Sequence, residues 1–162
     1  MGCDITVRIE CKFKHKGKWM WQDYTPIFKN PYYGLHEQAP EYEEYYIGGR
    51  WYKSFALLAG VRNNGDITPI SEPKGLPDDV SEGVRKAHEK WADVAFGHSY
   101  FTLMELEYFC LTHTGIIGDK DDGEPLYAKD ILKSYLQALE FVYNNIDPLD
   151  KNSIRMVFWF DN

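Results

Sequence analysis

The sequence predicts an α+β domain: a small antiparallel or mixed sheet, made of an N-terminal hairpin and a C-terminal strand, covered by about four helices. Three observations carry this prediction. Cys3, Ile5, Val7, Ile9 and Cys11 alternate with Asp4, Thr6, Arg8, Glu10 and Lys12, the period-two pattern of a strand with one buried face. Four interior segments place apolar side chains at helical spacing. The terminal run SIRMVFWFDN is nearly all apolar, as in a strand central to its sheet.

Taken in order, HKGK (residues 15–18) reads as a tight turn, and KWMWQDY continues as the second strand of the hairpin. Residues 26–49 are rich in Tyr, Pro and Gly, too aromatic for a disordered linker, and read as a long ordered loop. In RWYKSFALLAGVRN, Trp51, Phe55 and Leu58 fall on one helical face, and Gly60 is a stop signal. A Gly/Pro/Asn-dense loop follows. DDVSEGVRKAHEKWADVAF reads as a charged amphipathic helix with Val80, Val84, Ala87, Trp91 and Val94 as its apolar stripe and Ser81 as N-cap; Asp78-Asp79 favour its positive end. Thr102 and Glu105 match a capping box, so a helix is expected from Leu103. After a turn-rich loop, residues 128–146 read as one helix with Ile131, Tyr135, Leu139 and Val142 in a stripe. The last strand is expected to pair with the hairpin, with the helices on one face of the sheet. No repeat or domain boundary is visible, so residues 1–162 read as a single globular domain.

A net charge of −7 argues against an extended nucleic-acid partner, which needs a broad basic face. No apolar run approaches a membrane span, and no membrane partner is expected. The three cysteines form no C-x-x-C pair. Cys3 and Cys11 lie eight positions apart on one strand, roughly 26 Å, too far for a disulfide. Met1-Gly2-Cys3-Asp4-Ile5-Thr6 matches an acylation pattern. A strand starting at about residue 3 leaves no tether for a lipid, so the match reads as chance.

MGCDI at the start, the Arg50–Asn63 segment, ISEPKGLPDDVS, HSYFTLMEL and the terminal VFWFDN resemble a family of small bacteriophage and prophage-encoded proteins. The segments span nearly the whole chain in a fixed order. The resemblance implies a phage accessory protein working in the bacterial cytoplasm. Relatives begin MGCDIH; Thr6 here replaces that histidine and removes an Asp-x-His metal pair from the first strand.

The candidate chemistry is anion recognition. Arginine forks suit phosphate, and adjacent aromatic rings suit a base. Arg8, Arg50, Arg62 and Lys74 are expected to neutralise phosphate, with Asn63 beside Arg62. Trp51, Tyr52 or Tyr100 are expected to stack on a base. His98 and Ser99, placed just before a helix, are expected to bond phosphate or ribose. Asp4 lines the same polar strand face as Arg8. The leading expectation is a cofactor-free protein that sequesters a small anionic nucleotide-like ligand, in a phage setting a host immune signalling nucleotide. One alternative is a phosphoesterase using His98 with Asp4 or Asp93. A second is a protein–protein inhibitor using the tyrosine-rich segment 32–46. No metal site is expected; a hydrolytic metal centre would have to be assembled from distant loops. A homo-oligomer is compatible with all three readings.

Overall fold

The computed structural model describes residues 2–162. Strands β1 (Asp4–His15) and β2 (Lys18–Asp23) form the predicted hairpin. Lys16 and Gly17 close it at φ 49° and 78°, the two positive values of a type I′ turn, whose twist suits the flanking strands. Two short strands, β3 (Ile27–Lys29) and β4 (Tyr42–Glu44), pair with each other within the tyrosine-rich segment. The segment read as one long loop is therefore drawn together by a small second sheet that flanks its middle.

Helix α1 (Tyr52–Ala59) ends at Gly60, whose φ of 70° is the left-handed cap expected of a glycine. Helix α2 spans Glu82–Glu89 and is capped by Ser81, whose hydroxyl accepts from the Val84 N–H at 3.3 Å. It is shorter than the amphipathic pattern predicts. Trp91 and Val94 lie beyond its end and are exposed, because the chain turns through residues 90–94 to enter β5 (Phe96–Thr102).

Helix α3 (Leu103–Thr112) begins with the predicted capping box. The Glu105 N–H donates to the Thr102 hydroxyl at 3.1 Å and the Thr102 N–H to Glu105 Oε1 at 3.0 Å. The following turn-rich loop contains a hairpin of β6 (Ile116–Asp119) and β7 (Pro125–Tyr127). The single helix predicted for 128–146 divides into α4 (Ala128–Ile131) and α5 (Lys133–Ile146) at Leu132. Asp147, at φ 53°, and Pro148 then stop α5.

The last strand, β8 (Ile154–Asp161), is central as predicted. The main sheet has the order β2-β1-β8-β5 and is antiparallel throughout. One face carries Ile5, Val7, Ile9, Met156, Phe158 and Phe160, packed against α1, α3, α4 and α5 through Phe55, Leu106, Ile131, Tyr135 and Leu139. Helices covering a single face is corrected by the other side of the sheet. There Val157 and Trp159 pack against Val84 of α2, flanked by Leu76, Val80, Ala87 and Tyr100. Residues Ile154 and Met156 to Phe160 of β8 are fully buried, which is why that strand shows no alternation of polarity. Among the described residues no helix is long and apolar enough to cross a membrane.

Candidate functional site

The residues predicted to share one pocket separate into four places, with Trp51 apart from them. Arg8 is the clearest correction. Its alternation puts it on the polar face of β1, but that face is not open at Arg8, which is only 7 % exposed. It forms ion pairs with Asp23 and Glu44. Burial works against the charged guanidinium, yet the bonds from Glu44 and Asp23 outweigh it and raise its pKa. Arg8 is thus engaged by two carboxylates and lines neither of the two clefts described below. Its neighbour Glu10 is fully buried. Glu10 Oε1 accepts from Arg155 Nε at 2.7 Å and Oε2 from the Ser81 N–H at 2.6 Å. Asp79, predicted to serve the start of α2, instead accepts from Arg155 Nη1 and Trp21 Nε1, both at 3.0 Å.

Asp4 and Arg50 meet at a cleft of about 590 Å³ formed by the start of β1, the tyrosine-rich segment and Trp91. Arg50 grips Asp4 with two parallel bonds of 2.8 Å, and Tyr46 Oη donates to Asp4 Oδ1 at 3.0 Å. The Arg50 bonds, followed by the Tyr46 bond, hold the Asp4 carboxyl below its usual value despite some burial. Asp161, opposite Asp4 in the β1–β8 register, is raised by burial and then by the Asp4 charge. Asp4, Glu44 and Asp161 outnumber Arg50 in this lining, so the cleft does not suit an anion.

Tyr52, Arg62 and Asn63 come together at a second cleft of about 580 Å³, with Lys53, Ala56, Asn64, Asp66, Ile67, Gly118 and Asp119. Tyr52 enters α1 in its first turn; Arg62 follows the Gly60 stop and is itself left-handed, at φ 54°. That non-glycine conformation turns its guanidinium back over the Tyr52 ring, 5.5 Å from the centroid. Arg62 Nη2 also donates to Asn162 Oδ1 at 3.0 Å. Asn63 holds the next turn: its Oδ1 accepts from the Gly65 and Ile67 N–H groups and its Nδ2 donates to the Ile67 carbonyl at 2.6 Å. Lys53 donates to the Asp119 carbonyl. Trp51, the N-cap position of α1, is 36 % exposed and lines neither cleft.

Lys74, His98, Ser99 and Tyr100 lie together on and beside the edge strand β5. The His98-Ser99 pair does not sit at a free helix end; it is inside β5, and Thr102 and Glu105 satisfy the α3 start. Ser99 is fully buried and its hydroxyl accepts the Lys74 N–H at 3.2 Å. Lys74 Nζ stands 4.2 Å from the Tyr100 ring centroid and 3.7 Å from Glu105. Burial lowers its pKa, against the pull of Glu105. His98 Nε2 meets His88 Nε2 at 2.8 Å, a partner that sequence spacing gives no reason to choose. Burial, then the His88 imidazole, lowers the His98 pKa. The hydrolytic set is not assembled: Asp4 is gripped by Arg50, Asp93 is exposed after α2, and His98 is bonded to His88.

The sequence reading missed Glu10–Arg155, His88 and the acidic cleft lining. A same-face pair of opposite charges on the first and last strands was the available signal for Glu10–Arg155, once their register is known. Cys3 is buried and its N–H donates to Tyr52 Oη at 3.0 Å, so its thiol is not presented for acylation in this fold. Compared with known proteins, the chain matches no family model, no curated protein and no solved structure.

Proposed function

We propose that the chain is a phage-encoded accessory protein that binds and sequesters a small anionic, nucleotide-like ligand, and that the cleft beside α1 receives it. The carrying observation is the stack of Arg62 on Tyr52 beside Lys53 in a cleft of about 580 Å³. A guanidinium backed by an aromatic plane suits phosphate at its edge and a base on its outer face, and Arg62 would exchange its exposed bond to Asn162 for one to the ligand. Asn64, exposed on the same rim, adds amide donors and acceptors. The bacterial cytoplasm and the phage setting come from the sequence resemblance, which makes a host immune signalling nucleotide the first ligand to try. The dispersal of His98, Asp4 and Asp93 favours capture over hydrolysis.

The test is calorimetric titration with cyclic dinucleotides and ADP-ribose derivatives, followed by denaturation and recovery of the ligand. Binding with intact recovery, weakened at least about tenfold in Arg62→Ala, supports sequestration. Conversion to product replaces it with the phosphoesterase reading. Absence of binding, or equal binding by Arg62→Ala, rejects this cleft.

A second reading has its own observation. Tyr32, Tyr33, Tyr42, Tyr45 and Tyr46 are each more than half exposed on a segment pinned by β3 and β4. Exposed tyrosines on an ordered segment suit a protein partner. Replacing Tyr32 and Tyr33 by serine would then abolish capture of a host protein that the unaltered chain retains; retention by the variant rejects the reading.

A further inference from the structure

Outside the proposed cleft, two imidazoles meet, His88 on α2 and His98 on β5. Their Nε2 atoms are 2.8 Å apart, while the ring centroids are 4.8 Å apart at an interplanar angle of 69°. The imidazoles therefore meet tip to tip and do not stack face to face. Two imidazole nitrogens each bonded to one ion at about 2.0–2.1 Å stand about 2.9 Å apart at a right angle and about 3.3 Å apart at the tetrahedral angle. The observed 2.8 Å lies just below that range, so the nitrogens part by about 0.1 Å to admit an ion at a right angle and by about 0.5 Å at the tetrahedral angle. In the metal-free protein the same approach is satisfied by one shared proton, with one Nε2–H donating to the other Nε2.

We propose that His88 and His98 form a two-imidazole site for a borderline divalent transition ion such as Zn(II), Ni(II) or Cu(II). Imidazole is the ligand these ions favour, and hard ions such as Mg(II) and Ca(II) prefer oxygen. The two ligands stand on different rigid elements, so the site closes only when α2 is docked on the sheet. The Trp159 ring backs it, 5.1 Å from the His88 ring and nearly perpendicular to it. Trp159 is fully buried and comes from central strand β8. Among the described residues no group of three or more His, Cys, Asp or Glu forms a metal cluster. The remaining coordination positions consequently belong to water or an incoming anion, the open arrangement of a site that exchanges ligands. Binding ties α2 to β5 and so stabilises the fold by linkage.

The experiment is titration of the metal-free full chain with Ni(II) and with Cu(II) alone at neutral pH. One equivalent is expected to bind, about 100-fold more tightly than to His88→Ala or His98→Ala, because the second imidazole binds intramolecularly. His113→Ala, an exposed histidine elsewhere, is expected to bind as the unaltered chain does. Should an alanine variant fail to fold, His88→Gln and His98→Gln replace it. Zn(II) titration of the unaltered chain, followed by imidazole NMR, needs no variant: His88 and His98 resonances shift together at one equivalent. Equal affinity in the His88 and His98 variants, or first shifts at His15, His36 or His113, overturns the proposal.

Discussion

Arg155 stands over Trp21, its guanidinium carbon 3.8 Å from the ring centroid, while bonding Glu10 and Asp79. Glu10 is fully buried and Arg155 nearly so, and removing one of them strands the other charge in a dry interior. Arg155→Met is expected to cost about 3–5 kcal/mol in urea unfolding, and adding Glu10→Leu to recover much of that loss. At the open end of the same sheet face, Asp4 and Asp161 titrate in opposite directions. Asp4, depressed mainly by its Arg50 bonds, contributes stability above the ordinary carboxylate value of 3.8 that is lost as pH falls through its lower folded value. Asp161, raised mainly by burial, favours the fold below 3.8 and loses that contribution as pH rises through its folded value. Thermal melts should therefore show Asp161→Asn more stable than the unaltered chain at pH 7 and equal to it at pH 3. Asp4→Asn should be less stable at pH 7, with the difference shrinking in acid.

Among the elements, α3 is the most locally encoded. Its Thr102/Glu105 box satisfies two backbone N–H groups by side chains three residues apart, with no help from the rest of the fold. Thr102→Ala should lower unfolding free energy by about 1 kcal/mol in urea without altering binding at the clefts. The tyrosine-rich segment is anchored differently. Gly48, at φ 83°, crosses α5 so closely that a Cβ there would collide with the Tyr135 hydroxyl. Gly48→Ala combines a clash with a backbone conformation that alanine resists. It should destabilise by more than about 1 kcal/mol and raise proteolytic cutting within 26–49, read on a gel. Helix α1 is the least locally encoded: no side chain caps its start, and six of its eight residues are buried.

At the scale of the whole molecule, the first and last strands are neighbours, so the sheet closes only when the chain ends meet. Deleting residues 154–162 removes the strand both cores pack against. The shortened chain should show no cooperative melt by circular dichroism and no dispersed amide spectrum. Local pattern determined a good deal of this architecture. The period-two run in β1, the Lys16-Gly17 turn, the Ser81 and Thr102 caps, the Gly60 stop and the apolar β8 all follow from chemistry within a few residues, and each is where the sequence places it. The α+β class follows from their sum. Tertiary packing decided the rest. Polarity along β1 marks which side chains share a face and carries no information on what covers that face. Arg8 is therefore an interior ion because Asp23 and Glu44 close on it, Glu10 because Arg155 and the start of α2 bond it, and His88 meets His98 because α2 docks beside β5. The predicted cations were scattered for the same reason: a convergent site depends on the register of β1, β8 and β5 and on the path of the loops between them. The predicted residues were brought together only in part: Asp4 with Arg50, Tyr52 with Arg62 and Asn63, and Lys74 with Ser99 and Tyr100.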